Sequence, residues 1–155
     1  MHPYLVPGLD CGPLVIQRLV EAMPAARYDI PTGPGRFTPR EVVAHLADWE
    51  PVLRARIVTA LESPGSKVPV YDEGQMAIDH RYRESDIQAQ ARLFVEERKR
   101  TSGLVASLTA DQMKLTVIHP ERGELSVEDV AGMLLGHDLY HVEQLSAWIA
   151  GPNSP

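Results

Sequence analysis

Four segments of this chain have helical length, repeat their apolar residues at steps of three and four, and are separated by prolines and glycines. A helix with one apolar side must bury it, and four such helices bury their stripes against one another. The expected fold is therefore all-α: a four-helix bundle in a single domain over residues 1–155, with one long crossover loop between the second and third helices.

The first segment runs from about Cys11 to Met23, with Leu14, Ile16, Leu19, Val20 and Met23 on its apolar side and Pro24 closing it. The second starts most sharply. Thr38 is a natural N-cap, Pro39 stands at N1, and Glu41 at N3 completes a capping box, so a helix to about Leu61 follows, with Pro51 expected to bend it. The third opens at Ser85, paired with Gln88, and runs to about Leu108; the fourth opens at Ser126 and ends at Gly151-Pro152. Between the second and third lies a loop from about Ser63 to Glu84, a length at which loops commonly serve function or move. The stretch "KLTVIHPERGEL" is expected to be extended on both sides of a Pro-Glu-Arg-Gly turn.

The stripes that should face the core carry histidines. On the fourth helix Val130, Leu134, His137, His141, Leu145 and Trp148 share one face, and on the second His45 lies among Val42, Leu46, Trp49 and Leu53. One inward histidine is ordinarily a hydrogen-bonded core residue. Three are another matter, because each would need its own hydrogen-bonding solution, whereas one divalent cation answers all of them. Residues four apart on a helix stack one turn above the other, so His137 and His141 can present two ring nitrogens to the same ion. Three imidazoles without a thiolate suit Zn, Ni, Fe or Cu better than Mg or Ca. With only three protein ligands, a position stays open for water or substrate. Asp48, Glu50 and Gln144 are the nearby residues that could orient a ligand or a bound water, and Asp48 is the carboxylate expected to move a proton.

Composition excludes several classes. A formal charge of −6 with no basic block argues against nucleic acid. No apolar run is long enough to cross a bilayer, and the N-terminus lacks a charged and then apolar leader, so a cytoplasmic protein without membrane partners is expected. The single Cys11 cannot form an internal disulfide and is expected to be packed rather than nucleophilic.

The lone histidine of "EVVAHLADWEPVLRARI", with the paired histidines and following glutamine of "GHDLYHVEQLSAWI", resembles the DinB-like (YfiT-like) metalloenzyme family over nearly the whole chain. The resemblance implies a four-helix bundle, commonly a homodimer, in which His45, His137 and His141 bind a divalent metal, Zn or Ni foremost. It also implies that the long loop helps wall the mouth, with Tyr71, Asp79 and His80 as substrate contacts and Arg98 as another if it faces the bundle. Relatives of that fold include S-transferases and isomerases that use low-molecular-weight thiols such as bacillithiol and mycothiol. The first expectation is thus a metal-dependent transfer of a thiol to an electrophilic small molecule. The second is hydrolysis of an ester or amide, and the third a metal-binding scaffold without catalysis.

Overall fold

The computed structural model describes residues 1–31 and 33–150. Its long helices are α1 (Leu5–Ala22), α2 (Pro39–Glu62), α4 (Ile87–Ala106) and α5 (Val127–Ala150), with a short α3 (Glu73–Asp79) inside the long loop. A small antiparallel hairpin, β1 (Thr116–His119) and β2 (Gly123–Ser126), precedes α5 and pairs Val117 with Leu125 across the expected turn. Among the described residues, no helix is long and apolar enough to cross a membrane.

Helix α2 begins as its sequence dictates. Thr38 Oγ1 accepts from the Glu41 N–H, and the Glu41 carboxylate accepts from the Thr38 N–H at 2.9 Å. Two other boundaries differ from expectation. Helix α1 starts six residues upstream of Cys11, because Pro7 sits in its first turn, where no intrahelical donor is needed. It also continues through Pro13, and it ends where expected, with Met23 turned extended ahead of Pro24. Helix α4 is capped by Asp86, whose carboxylate accepts from the Ala89 N–H at 2.9 Å, while the Ser85 hydroxyl donates back to the Tyr82 carbonyl. The stop expected at Gly151-Pro152 lies outside the described residues.

Helix α1 packs against α4 and α5, and α2 packs against the same two. The pairs α1/α2 and α4/α5 therefore lie across the diagonals of the bundle. The long 63–86 connection joins neighbours, and the diagonal crossings are made by the segments after α1 and after α4, the latter carrying the hairpin. Backbone bonds from Val68 N–H to the Ile118 carbonyl and from Ile118 N–H to the Ser66 carbonyl pin the start of the long loop to that hairpin.

Two large apolar clusters and a small one of Ala44, Ala77 and Tyr82 fill the interior among the described residues. One large cluster gathers Leu9, Ile57, Val105, Val117 and Leu134; the other gathers Ile16, Val20, Leu46, Phe94, Leu145 and Trp148. Each such side chain stabilises the fold by roughly 1.5–3 kcal/mol when fully buried. Leu14, expected on the apolar side, is 41% exposed, and Cys11 is exposed on the interior turns of α1 rather than packed near its start.

Charge also crosses the core. Arg98 faces the bundle, as the sequence allowed, but it is wholly engaged there and leaves nothing for a substrate. Its guanidinium donates to both Glu50 oxygens at 2.8 and 2.9 Å, to both Asp138 oxygens, and to the Leu9 carbonyl at 3.3 Å. Burial alone would discharge it, but the two carboxylates hold it charged. Pro13 explains the last bond: four residues past Leu9, it has no N–H for that carbonyl, and Arg98 supplies the donor. One side chain thereby ties α4 to α2, α5 and α1.

Candidate metal centre

The structure brings the three inward histidines together. His45 Nε2 lies 2.9 Å from His137 Nε2, which lies 3.0 Å from His141 Nε2, and one nitrogen from each ring falls within a 4.8 Å sphere of mutual distances. Two nitrogens about 2.1 Å from a single ion stand roughly 3.0 Å apart at a right angle and roughly 3.4 Å apart at the tetrahedral angle, so the spacing fits shared ligands.

Protonation fits as well. Burial, reinforced by the neighbouring histidines, pushes His45 down to about 2; burial, then His141 and Arg98, pushes His137 down to about 3; burial lowers His141 too. All three rings are thus neutral at pH 7, the form that binds metal. For His141 the tautomer is set. Gln144 Nε2 donates to the Tyr140 hydroxyl at 3.1 Å, which turns Gln144 Oε1 toward His141 Nδ1 at 2.8 Å and leaves Nε2 as a bare lone pair. His45 Nδ1 is buried without a partner, its ring held between Phe37 and Trp49.

The cluster opens on a cavity of about 450 Å³ lined also by Phe37, Glu73, Tyr140 and Gln144. Among the described residues, no aspartate, glutamate or cysteine joins the three histidines in the cluster. Of the residues expected to serve the site, Gln144 is at it. Asp48 instead lines a separate cavity, where its Oδ2 accepts from the Tyr82 hydroxyl at 2.6 Å and meets His80 Nδ1 at 2.7 Å. Glu50 belongs to the Arg98 network.

The long loop does wall the mouth, but through Glu73 and Gly74. Tyr71 packs edge-on against Trp49, and Asp79 accepts from Gln75 on the surface. Sequence reasoning passed over Glu73 and Tyr140. Tyr140 could have been found, since it stands one turn before Gln144 on the same helix.

Residues 15–145 match the sequence model of the DinB superfamily. The chain belongs to that superfamily. Within it the chain is 27% identical over 139 residues to the "Putative metal-dependent hydrolase YfiT" of Bacillus subtilis, spanning 89% of this chain and 78% of that one. It is likewise 27% identical over 113 residues to the "Putative metal-dependent hydrolase OB0782" of Oceanobacillus iheyensis, covering 73% of this chain and 65% of the other. The fold agrees with the solved structure of YfiT from Bacillus subtilis, a four-helix bundle described as unusual in topology, at a TM-score of 0.87 and 24% identity over 94% of this chain and 83% of that one. A mycothiol-dependent maleylpyruvate isomerase shares the fold at a TM-score of 0.74 and 15% identity, over 92% of this chain and 60% of the isomerase. This DinB-superfamily chain thus carries a three-histidine cluster able to coordinate a metal ion, and the relatives matched by sequence bear hydrolase rather than transferase names.

Proposed function

We propose that the protein is a metal-dependent hydrolase of small esters or amides. One observation carries the reading: three neutral imidazoles converge on an open cavity, and among the described residues no aspartate, glutamate or cysteine joins them. His45, His137 and His141 would hold a divalent ion, Zn or Ni foremost. Bound there, such an ion supplies Lewis acidity to a carbonyl and acidifies a water.

The chain's own groups do the rest. Gln144 keeps the proton of His141 on Nδ1, so that Nε2 remains a donor of electrons. Phe37 and Trp49 flank His45 and keep water from its far side. Glu73 is the carboxylate lining the histidine cavity, and in this reading it accepts the proton. Asp48 holds the Tyr82 hydroxyl, and the Tyr82 ring stands edge-on to Phe37 of the histidine cavity.

The test is turnover of a panel of aryl esters and anilides by metal-loaded protein. Hydrolysis should require metal, vanish in His141→Ala, and fall about a hundredfold in kcat in Glu73→Gln, while Asp48→Asn loses less. A metal-loaded protein that cleaves none of the panel would overturn the reading. A sulfur-to-metal charge-transfer band on adding mycothiol or bacillithiol to the Co-substituted protein would favour thiol transfer instead.

A further inference from the structure

A second cavity against α2, about 280 Å³, is lined by Trp49, Arg56, Tyr71, Glu73, His119 and Arg122 among others. Arg56 is 3% exposed, yet among the described residues it has no ion-pair partner, and its Nε is buried with no acceptor. A buried guanidinium is normally paired, because stripping water from an uncompensated charge costs several kcal/mol. Arg98 shows what satisfaction looks like in this same core. Arg56 lies over the face of Trp49, 5.9 Å away, with Tyr71 near it and a second cation, Arg122, whose field adds to the cost of burial.

Two further donors point the same way. Trp49 Nε1–H is buried without an acceptor. His119, 1% exposed, accepts the Glu121 N–H on Nδ1 at 3.2 Å, and burial beside the two arginines keeps the ring neutral, so its proton sits on Nε2 as a donor. The carboxylates of Asp72, Glu73 and Glu121 also border the cavity, but none lies within ion-pair distance of either guanidinium among the described residues. Among the described residues, two cations and His119 therefore line a cavity in which neither guanidinium has an ion-pair partner, with the unsatisfied Trp49 N–H beside them. The Trp49 ring lies 5.6 Å from that of His45, and Glu73 lines both this cavity and the histidine cavity.

We propose that this cavity binds the oxyanion, a carboxylate or a phosphate, of a small-molecule substrate whose reacting group lies at the histidine cluster. The position of the reacting group rests on the hydrolase reading; the anion site itself does not.

The chain's two tryptophans provide the readout, since Trp148 Nε1–H is already bonded to the Ile30 carbonyl at 2.8 Å. Succinate and inorganic phosphate are titrated separately into the 15N-labelled full chain, with and without bound metal, while both indole N–H signals are followed. The Trp49 signal should shift saturably with at least one of the two anions and the Trp148 signal should not; which anion acts identifies the group. Arg56→Met should weaken binding by about ten- to a hundredfold without loss of thermal stability, because it removes an uncompensated charge. Arg122→Ala, on the cavity rim, should weaken it less. A Trp49 signal unmoved by tens of millimolar of either anion, or moved equally in Arg56→Met, would overturn the proposal. If the anion binds but no ester or amide is turned over, the hydrolase reading fails and the anion site stands.

Discussion

At the scale of single residues, the centre is a set of bases kept from protons by burial. In metal-free protein His45 and His137 take up a proton only near pH 2 and 3, whereas the unfolded chain takes one up near 6.5 at each histidine. Between those limits the unfolded state binds more protons, so stability is fully present above about pH 6.5 and is lost as pH falls toward the folded values. Each such histidine contributes a slope of up to about 1.4 kcal/mol per pH unit. Urea midpoints of chelated protein should therefore drop steeply between pH 6.5 and 4.5, and His45→Gln should flatten the fall. Parallel curves for the two proteins would count against this account. The histidines were legible in the sequence because helical spacing alone aimed them inward. The cavity positions of Glu73 and Arg56 were not, since they depend on how the loop and hairpin fold over α2, which no local pattern specifies.

At the scale of elements, legibility followed how local the cause was. The Thr38–Glu41 box involves neighbours only, and the helix begins where it says. The start of α4 offered two adjacent oxygens, and Asp86 took the cap because Ser85 was committed to the preceding turn. Helix α1 was expected to begin only at Cys11, yet it starts before Pro7, and the hydrogen bond that Pro13 removes is replaced from outside by Arg98. That repair gives Gly12 a purpose: a Cβ there would stand 2.1 Å from Asp138 Oδ2. Alanine in place of glycine within a helix ordinarily stabilises by about 1 kcal/mol. Here Gly12→Ala should destabilise instead, by about 3 kcal/mol or more, because the Asp138–Arg98 pair must part inside the core. Chemical denaturation of the variant checks the sign; a stabilised Gly12→Ala would mean that α1 shifts freely and that the network is slack.

At the scale of the molecule, four amphipathic stripes announce a bundle but do not say which helices adjoin, so the diagonal placement of α1/α2 and α4/α5 was beyond the sequence pattern. It has an energetic result. His45 and His137 are 92 residues apart, so a shared ion would tie α2 to α5 across most of the chain. A ligand that binds only the folded state at about a hundred times its Kd adds about 2.7 kcal/mol, which in a chain of this size raises Tm by about 5–10 °C. Scanning calorimetry of the chelated protein with increasing Zn or Ni should show that rise in wild type and none in His137→Ala. An equal rise in both would place the ion elsewhere.

The same separation orders events during synthesis. A growing chain exposes His45 long before His137 and His141 exist, and a single imidazole is a poor competitor for scarce metal. Until translation has passed His141 and α5 has docked, the three-histidine cluster does not exist. An ion held by this cluster would thus be chosen by the finished fold rather than by the nascent chain, because the three rings meet only there.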